Sequence, residues 1–196
     1  MSASRTASVN RKTKETAISL ALDLDGVGAS EIATGIGFLD HMLTLLSRHS
    51  LIDLKIQCKG DTEVDYHHTV EDVGLALGTA LDQALGERRG IRRYGFFLLP
   101  MDESLAQVAL DLGGRPFLAY ANGVNSSFVR DFDTNLFEEF FRALCVNARM
   151  NLHVRVDGNE AHHAIEGVFK GFARALREAI EADPRDAGIP SSKGVL

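Results

Sequence analysis

Apolar and polar residues alternate in two short segments of the chain, residues 52–58 and residues 150–156, as they do in a strand with one buried face. After a polar loop, each segment is followed by apolar residues spaced three or four positions apart, over residues 70–85 and residues 165–180. This spacing predicts an amphipathic helix after each strand. The chain therefore carries two similar strand–helix units.

The similarity between the two units extends towards the N-terminus of each. Residues 15–24 match residues 103–112, and residues 38–43 match residues 136–141. The first pair alternates as strands do, and the second pair is typical of helices. Each half is therefore predicted to run strand, strand, helix, strand, helix.

These repeats predict an α+β fold made of two internally duplicated half-domains, residues 1–95 and residues 96–196. Each half-domain is expected to be a mixed sheet with two helices packed on one face, because each helix has one apolar side to bury. The two halves together are long enough to bury a substantial core as one compact domain.

A set of two adjacent histidines and a glutamate occurs once in each half, where the last helix is predicted to begin. Its members are His67, His68 and Glu71 in the first half and His162, His163 and Glu166 in the second half. Adjacent helical residues point about 100° apart, so each histidine pair fits two separate metals better than one. Matched repeat positions add His41 and Glu139, which gives four candidate ligands for each of two metals. Mixed imidazole and carboxylate ligands favour Mn, Fe, Co or Zn.

Composition narrows the class of protein. Hydrophobic residues make up 45% and charged residues 24%, as in ordinary globular proteins. There is no long apolar run and no apolar N-terminal segment, so we expect a cytoplasmic protein without a membrane span or secretory signal. A net charge of −6 argues against a nucleic-acid partner. Cys58 and Cys145 are isolated, which favours two reduced packing residues over a disulfide.

Several longer motifs resemble those of a known family. They are GIGFLDHML at 35–43, DYHHTVEDVGLALG at 65–78, RRYG at 92–95, MDESLA at 101–106, DLGGRP at 111–116, HHAIEGVFKGFARAL at 162–176 and PSSKGVL at 190–196. In this order they resemble imidazoleglycerol-phosphate dehydratase of histidine biosynthesis. The resemblance covers essentially the whole chain after its first few residues.

The resemblance implies a carbon–oxygen lyase that removes water from imidazole glycerol phosphate and gives imidazole acetol phosphate. It also implies two Mn²⁺ ions per subunit and a homo-oligomeric shell of 24 subunits, with active sites where subunits meet. By the match of these motifs, the ligands are His41 and the two histidine–glutamate sets. Many relatives have histidine at the position of Glu139, where glutamate is still a competent oxygen ligand.

The chemistry implied by the resemblance explains the use of two metals. The proton to be removed lies on a carbon without a neighbouring carbonyl group. An imidazolate held between two metal ions would supply the electrons that expel the hydroxyl group. A base must also take the proton, and Glu15 resembles the acid–base glutamate of the family. Its repeat partner Glu103, beside Asp102, is expected to order the neighbouring site.

The resemblance also identifies residues that face the substrate phosphate, which needs cations at fixed positions. They are Arg93, Arg115, Lys170, Ser191 and Lys193. The C-terminal segment 190–196 is implied to be a tail that covers the substrate. Two other functions remain open at this point: a metal-storing or metal-sensing assembly without catalysis, and a dinuclear metallohydrolase that would release phosphate.

Overall fold

A computed structural model describes residues 4–124 and 127–196 and contains two four-stranded sheets, one in each half of the chain. The first half comprises β1 (Thr6–Lys12), β2 (Thr16–Asp23), β3 (Ser30–Ala33), α1 (Gly37–Ser50), β4 (Asp53–Gly60) and α2 (His67–Leu85). The second half comprises β5 (Tyr94–Met101), β6 (Ser104–Asp111), β7 (Phe117–Asn122), β8 (Phe128–Val129), β9 (Phe132–Asp133), α3 (Leu136–Asn147), β10 (Asn151–Asp157) and α4 (Ala161–Ile180). The short hairpin β8–β9 has no counterpart among the first-half elements.

The two sheets have the same topology, which confirms the duplicated α+β fold. The strand order is β1-β2-β4-β3 in the first sheet and β5-β6-β10-β7 in the second. In each sheet the first three strands are antiparallel, and the last strand pairs in parallel with its neighbour. Both sheets are therefore mixed, as predicted.

In each four-stranded sheet, three strands precede the first helix of that half, and the prediction of two was wrong by one strand. The edge strand β3 has only four residues, which is too short to show a clear alternation. The edge strand β5 has apolar residues on both of its faces, so its sequence lacks the alternation of a half-buried strand.

The helices lie between the two sheets. Helices α1 and α2 pack on the first sheet, and helices α3 and α4 pack on the second. The two pairs also pack crosswise, α1 along α4 and α2 along α3. Gly74 and Gly78 permit close packing of α2 on α3, because a Cβ atom at either position would lie within 2.6 Å of an α3 carbonyl oxygen. One continuous apolar core joins the two halves.

The outer faces of the two sheets differ in polarity. Exposed positions of the first sheet are mostly small or polar, such as Ser8 and Lys55. The outer face of the second sheet instead carries large apolar side chains. They are Tyr94, Phe96, Leu98, Leu105 and Phe117. None of the helices in the described ranges has the length and apolar character needed to cross a lipid bilayer.

Candidate active site

Both histidine pairs lie in the first turn of a helix, where carboxylates accept hydrogen bonds from the free backbone N–H groups. Asp65 accepts from the backbone of His67 at the start of α2, and Glu160 accepts from that of His163 at the start of α4. The rings within each pair are nearly perpendicular, with interplanar angles of 88° and 83°. The two histidines of each pair therefore point to different partners.

His41, His162 and Glu166 form the clearest candidate metal site, with one possible ligand atom from each lying within 4.8 Å of the others. Glu166 Oε2 is 3.4 Å from His41 Nε2 and 3.1 Å from His162 Nε2. The crosswise packing of α1 on α4 creates this cluster, because His41 comes from the first half and its partners come from the second. The two histidines remain partly exposed, which leaves access for further ligands.

Lys170 lies one helical turn after Glu166 and contacts the other oxygen of its carboxylate, Oε1, at 2.5 Å. Burial raises the pKa of Glu166, but the hydrogen bond and charge of Lys170, together with hydrogen bonds to His41 and His162, lower it by more. The net effect is a lowered pKa. The carboxylate is therefore kept ionised, with Oε2 facing two imidazoles. This is the protonation state that a metal ligand requires.

The repeat counterparts of this cluster, His67 and Glu71 on α2 and Glu139 on α3, do not converge on one point in the same way. His67 Nε2 is 3.6 Å from Glu71 Oε2, and both side chains are about half exposed. Glu139 Oε2 lies instead 3.6 Å from Arg142 Nε. Within the described residues, Glu139 forms no group of three ligand atoms with His67 and Glu71 inside 4.8 Å.

His68 faces two acidic residues through its two ring nitrogens. Its Nδ1 is 3.0 Å from Asp61 Oδ2, and its Nε2 is 3.9 Å from Glu15 Oε1. The hydrogen bond to Asp61 raises the pKa of His68, although burial opposes this effect. Glu15 directly precedes β2, so the structure places the predicted base beside a predicted metal ligand.

His163, the repeat counterpart of His68, is held by Glu103. Its Nδ1 is 3.1 Å from Glu103 Oε2 and 3.9 Å from Asp102 Oδ2. The hydrogen bonds from His163 and from Ser104 contribute to lowering the pKa of Glu103 to about 2. The same hydrogen bond raises the pKa of His163. Glu103 thus lies beside a candidate metal ligand.

The Glu15 segment is fixed to α2 by a polar network that sequence reasoning missed. Asp72 Oδ2 accepts hydrogen bonds from Arg11 Nη1 and Thr16 Oγ1, both at 2.5 Å. The backbone N–H groups of Glu15 and Thr16 donate to the Thr13 hydroxyl group. Charge-assisted hydrogen bonds of this kind restrict the position of the β1–β2 turn, and therefore of Glu15, relative to α2.

The candidate phosphate-binding residues fall into two places. Arg93 donates to both carboxylate oxygens of Asp111 and, through Nη1, to the carbonyl oxygen of Pro190 at 2.8 Å. Arg93 therefore holds the start of the C-terminal tail, which contains Ser191 and the exposed Lys193.

The end of the tail returns to the turn that precedes Arg115. A Cβ atom at Gly114 would lie 3.0 Å from the backbone of Leu196, and Arg115 itself is exposed. Four of the five candidates therefore lie on or beside the tail and the turn that it contacts. Lys170 lies with the His41 cluster instead, through its contact with Glu166.

The donor set fits divalent transition metals, because imidazole nitrogens and ionised carboxylates converge at the helix starts. The Nδ1 atoms of His68 and His163 are engaged by carboxylates, which leaves their Nε2 atoms available as ligands. Asp61 was absent from the predicted set. It could not be recognised from the repeat, because the polar loop 61–65 lacks a close match in the second half.

The known proteins to which this chain is similar share one family description. The family model described as imidazoleglycerol-phosphate dehydratase matches residues 34–176. A relative of that name from Gluconacetobacter diazotrophicus is 56% identical over 198 residues, covering all of both chains. One from Nostoc is 57% identical over 194 residues, covering 98% of this chain and 93% of its own.

Solved structures of such proteins also match. The Staphylococcus aureus structure aligns with a TM-score of 0.83 and 39% identity, covering 91% of this chain and 99% of its own. The Pyrococcus furiosus structure aligns with a TM-score of 0.83 and 32% identity, covering 96% of this chain and all of its own.

Proposed function

Because the chain belongs to the imidazoleglycerol-phosphate dehydratase family, we propose that it removes water from imidazole glycerol phosphate with the help of two bound Mn²⁺ ions. The product is imidazole acetol phosphate. The observation that carries the metal part of this proposal is the convergence of His41, His162 and Glu166. Ionised Glu166 and two imidazoles form a ligand set that suits Mn²⁺.

The remaining metal ligands come from the other predicted positions. They are His67, His68, Glu71, Glu139 and His163. Their partial exposure in the single chain supports sites that are completed by neighbouring subunits. Bound at these residues, the metal ions supply positive charge that acidifies the imidazole ring and orients it.

Glu15 is the group that takes the proton from carbon. Its carboxylate is about half exposed and lies 3.9 Å from His68, so a substrate at this ligand is within its reach. The polar network around Asp72 restricts the movement of the Glu15 backbone, which favours a fixed distance between base and substrate.

Arg93, Arg115, Ser191 and Lys193 hold the substrate phosphate, and the tail covers the substrate. The Arg93–Pro190 hydrogen bond supports this assignment, because it ties an arginine on the sheet edge to the beginning of the tail. Lys170 orients Glu166 and presents a positive charge next to the metal-binding cluster.

The chain forms a homo-oligomer, for which the family resemblance implies 24 subunits. The apolar outer face of the second sheet supports self-association, since five large apolar side chains there are exposed in the single chain. Phe96→Ser should reduce the assembled mass measured by mass photometry. Val27→Ser, at an exposed apolar residue outside that sheet, is the control. Equal masses for both variants would contradict this interface.

The function is tested by stripping the protein with a chelator and measuring turnover of imidazole glycerol phosphate before and after adding Mn²⁺. We expect imidazole acetol phosphate to form only with metal and no phosphate to be released. Phosphate release would favour a hydrolase. A protein that binds Mn²⁺ but forms no product would favour a metal-binding assembly without this activity.

A further inference from the structure

Asp61, in the loop between β4 and α2, has a hydrogen-bonding pattern that packing alone does not explain. Its Oδ2 atom lies 3.0 Å from His68 Nδ1. Its Oδ1 atom is buried and has no hydrogen-bond partner in the described part of the chain. A buried carboxylate oxygen without a donor costs free energy, so Asp61 is not placed to optimise its own contacts. The contact that it does make is with a predicted metal ligand.

The contact with Asp61 determines which nitrogen of His68 can bind a metal. An ionised carboxylate only accepts hydrogen bonds, so the hydrogen lies on Nδ1 and the lone pair of the neutral ring lies on Nε2. Carboxylates that contact ligand histidines in this way fix the tautomer and the ring orientation. Asp61 is therefore well placed to prepare His68 for a cation.

The second half performs the same task with a different residue. Glu103 Oε2 lies 3.1 Å from His163 Nδ1, while its Oε1 atom accepts from the Ser104 hydroxyl group and the Glu160 backbone. In the first half β4 ends at Gly60, and Asp61 follows it. In the second half β10 is followed by Gly158 and then by Asn159, which is therefore the counterpart of Asp61. The second half thus has a neutral amide where the first half has the orienting carboxylate.

This difference changes the role of Glu15, the repeat counterpart of Glu103. Its carboxylate lies on the Nε2 side of His68, at 3.9 Å, and accepts no hydrogen bond from any described residue. Glu103, in contrast, is fully occupied by His163 and its neighbours. The two glutamates occupy matching positions, but only Glu15 is left unoccupied by the protein.

We propose that Asp61 is the positioning residue of His68, and that it takes over in the first half the task that Glu103 performs in the second. Glu15 is thereby left free for the substrate. This inference rests on the proposed function for the role of Glu15 and of the metals. It also explains why two similar half-sites contain only one candidate base.

The test is Mn²⁺ binding to the full-length, chelator-stripped protein, measured by equilibrium dialysis over a range of free metal concentrations. Asp61→Ala and Glu103→Gln should each weaken binding of part of the bound Mn²⁺ by roughly 10- to 100-fold. Asp61→Asn keeps an acceptor oxygen without the charge and should weaken it less. Glu15→Gln should leave Mn²⁺ binding unchanged and abolish turnover. Glu63→Gln, on the same loop as Asp61 and exposed, is the matched control for loss of charge.

The proposal would be overturned if Asp61→Ala bound Mn²⁺ with wild-type affinity. It would also be overturned if Glu15→Gln weakened Mn²⁺ binding at a site that Asp61→Ala leaves intact. Circular dichroism identifies any variant that fails to fold. If Asp61→Ala does so, Asp61→Asn decides the question by comparison with Glu63→Gln. Full turnover by Glu15→Gln would remove the proposed base from the mechanism, while the binding data would still decide the role of Asp61.

Discussion

Arg88 is a charged side chain enclosed in the protein core, with only 2% of its surface exposed. Its guanidinium donates to the carbonyl oxygens of Leu112, Ala148 and Arg149 at 2.7 to 3.1 Å and to the Asp82 carboxylate at 2.5 Å. Burial lowers the pKa of Arg88, an effect that Asp82 opposes. One side chain thus joins the end of α2 to the ends of β6 and α3.

Replacing Arg88 with alanine should lower the free energy of unfolding by about 3 kcal/mol. Removing one partner of a buried ion pair costs roughly 3–5 kcal/mol, because the remaining groups are left buried without their donor. The lower end of this range applies because Asp82 keeps two contacts with Arg149, both at 3.0 Å. The carbonyl groups that lose their donor remain in the interior, so this loss is not fully recovered by hydration.

The measurement is urea unfolding of chelator-treated protein at one protein concentration, because bound metal and subunit association both add to the apparent stability. The matched control is Arg89→Ala, the adjacent arginine, whose ion pair with Glu87 is on the surface. An exposed pair contributes at most about 1 kcal/mol, so this variant should unfold close to the wild type. Equal unfolding free energies for the two variants would refute the structural role of Arg88.

Three further changes have defined outcomes. Gly74→Ala should destabilise the protein by about 1–3 kcal/mol, because its Cβ would lie 2.5 Å from a carbonyl oxygen of α3. Gly37→Ala, with open space around it, should not, and equal melting temperatures for the two variants would contradict the close packing. Glu139→Ala should weaken Mn²⁺ binding in a dialysis assay and Glu138→Ala should not, although both carboxylates lie near the same arginine; identical binding would remove Glu139 from the ligand set. The buried Cys145 thiol, whose pKa is raised by burial to about 12, should react with Ellman's reagent only after denaturation, and rapid labelling of the native protein would contradict its burial.

The sequence predicted the architecture well where the same pattern occurred twice. The alternation over residues 52–58 and 150–156 identified β4 and β10, and helical spacing identified α2 and α4. The perpendicular rings of each histidine pair agree with the expectation that adjacent helical residues diverge. Duplication helped because a pattern that is ambiguous in one copy gains weight from the second.

Features that depend on distant partners could not be read from the sequence. Asp72 looked like an ordinary helix residue, but its partners Thr16 and Arg11 are 56 and 61 positions away. Asp61 could not be found from the repeat, because it is a feature in which the halves differ. β5 was not separated as a strand, since its outward side chains are apolar and hide the alternation.

The crosswise packing of the helices has a consequence for how the molecule can move. The helices of each half pack partly against helices of the other half. At Gly74 and Gly78 the backbones of α2 and α3 are in direct contact. The boundary between the halves is therefore continuous interior, without the loosely packed surface that a hinge requires. A cluster such as His41 with His162 and Glu166, whose members come from both halves, depends for its spacing on the packed core that the two halves share. Entry and exit of small molecules must then depend on peripheral segments, while the ligand geometry stays constant.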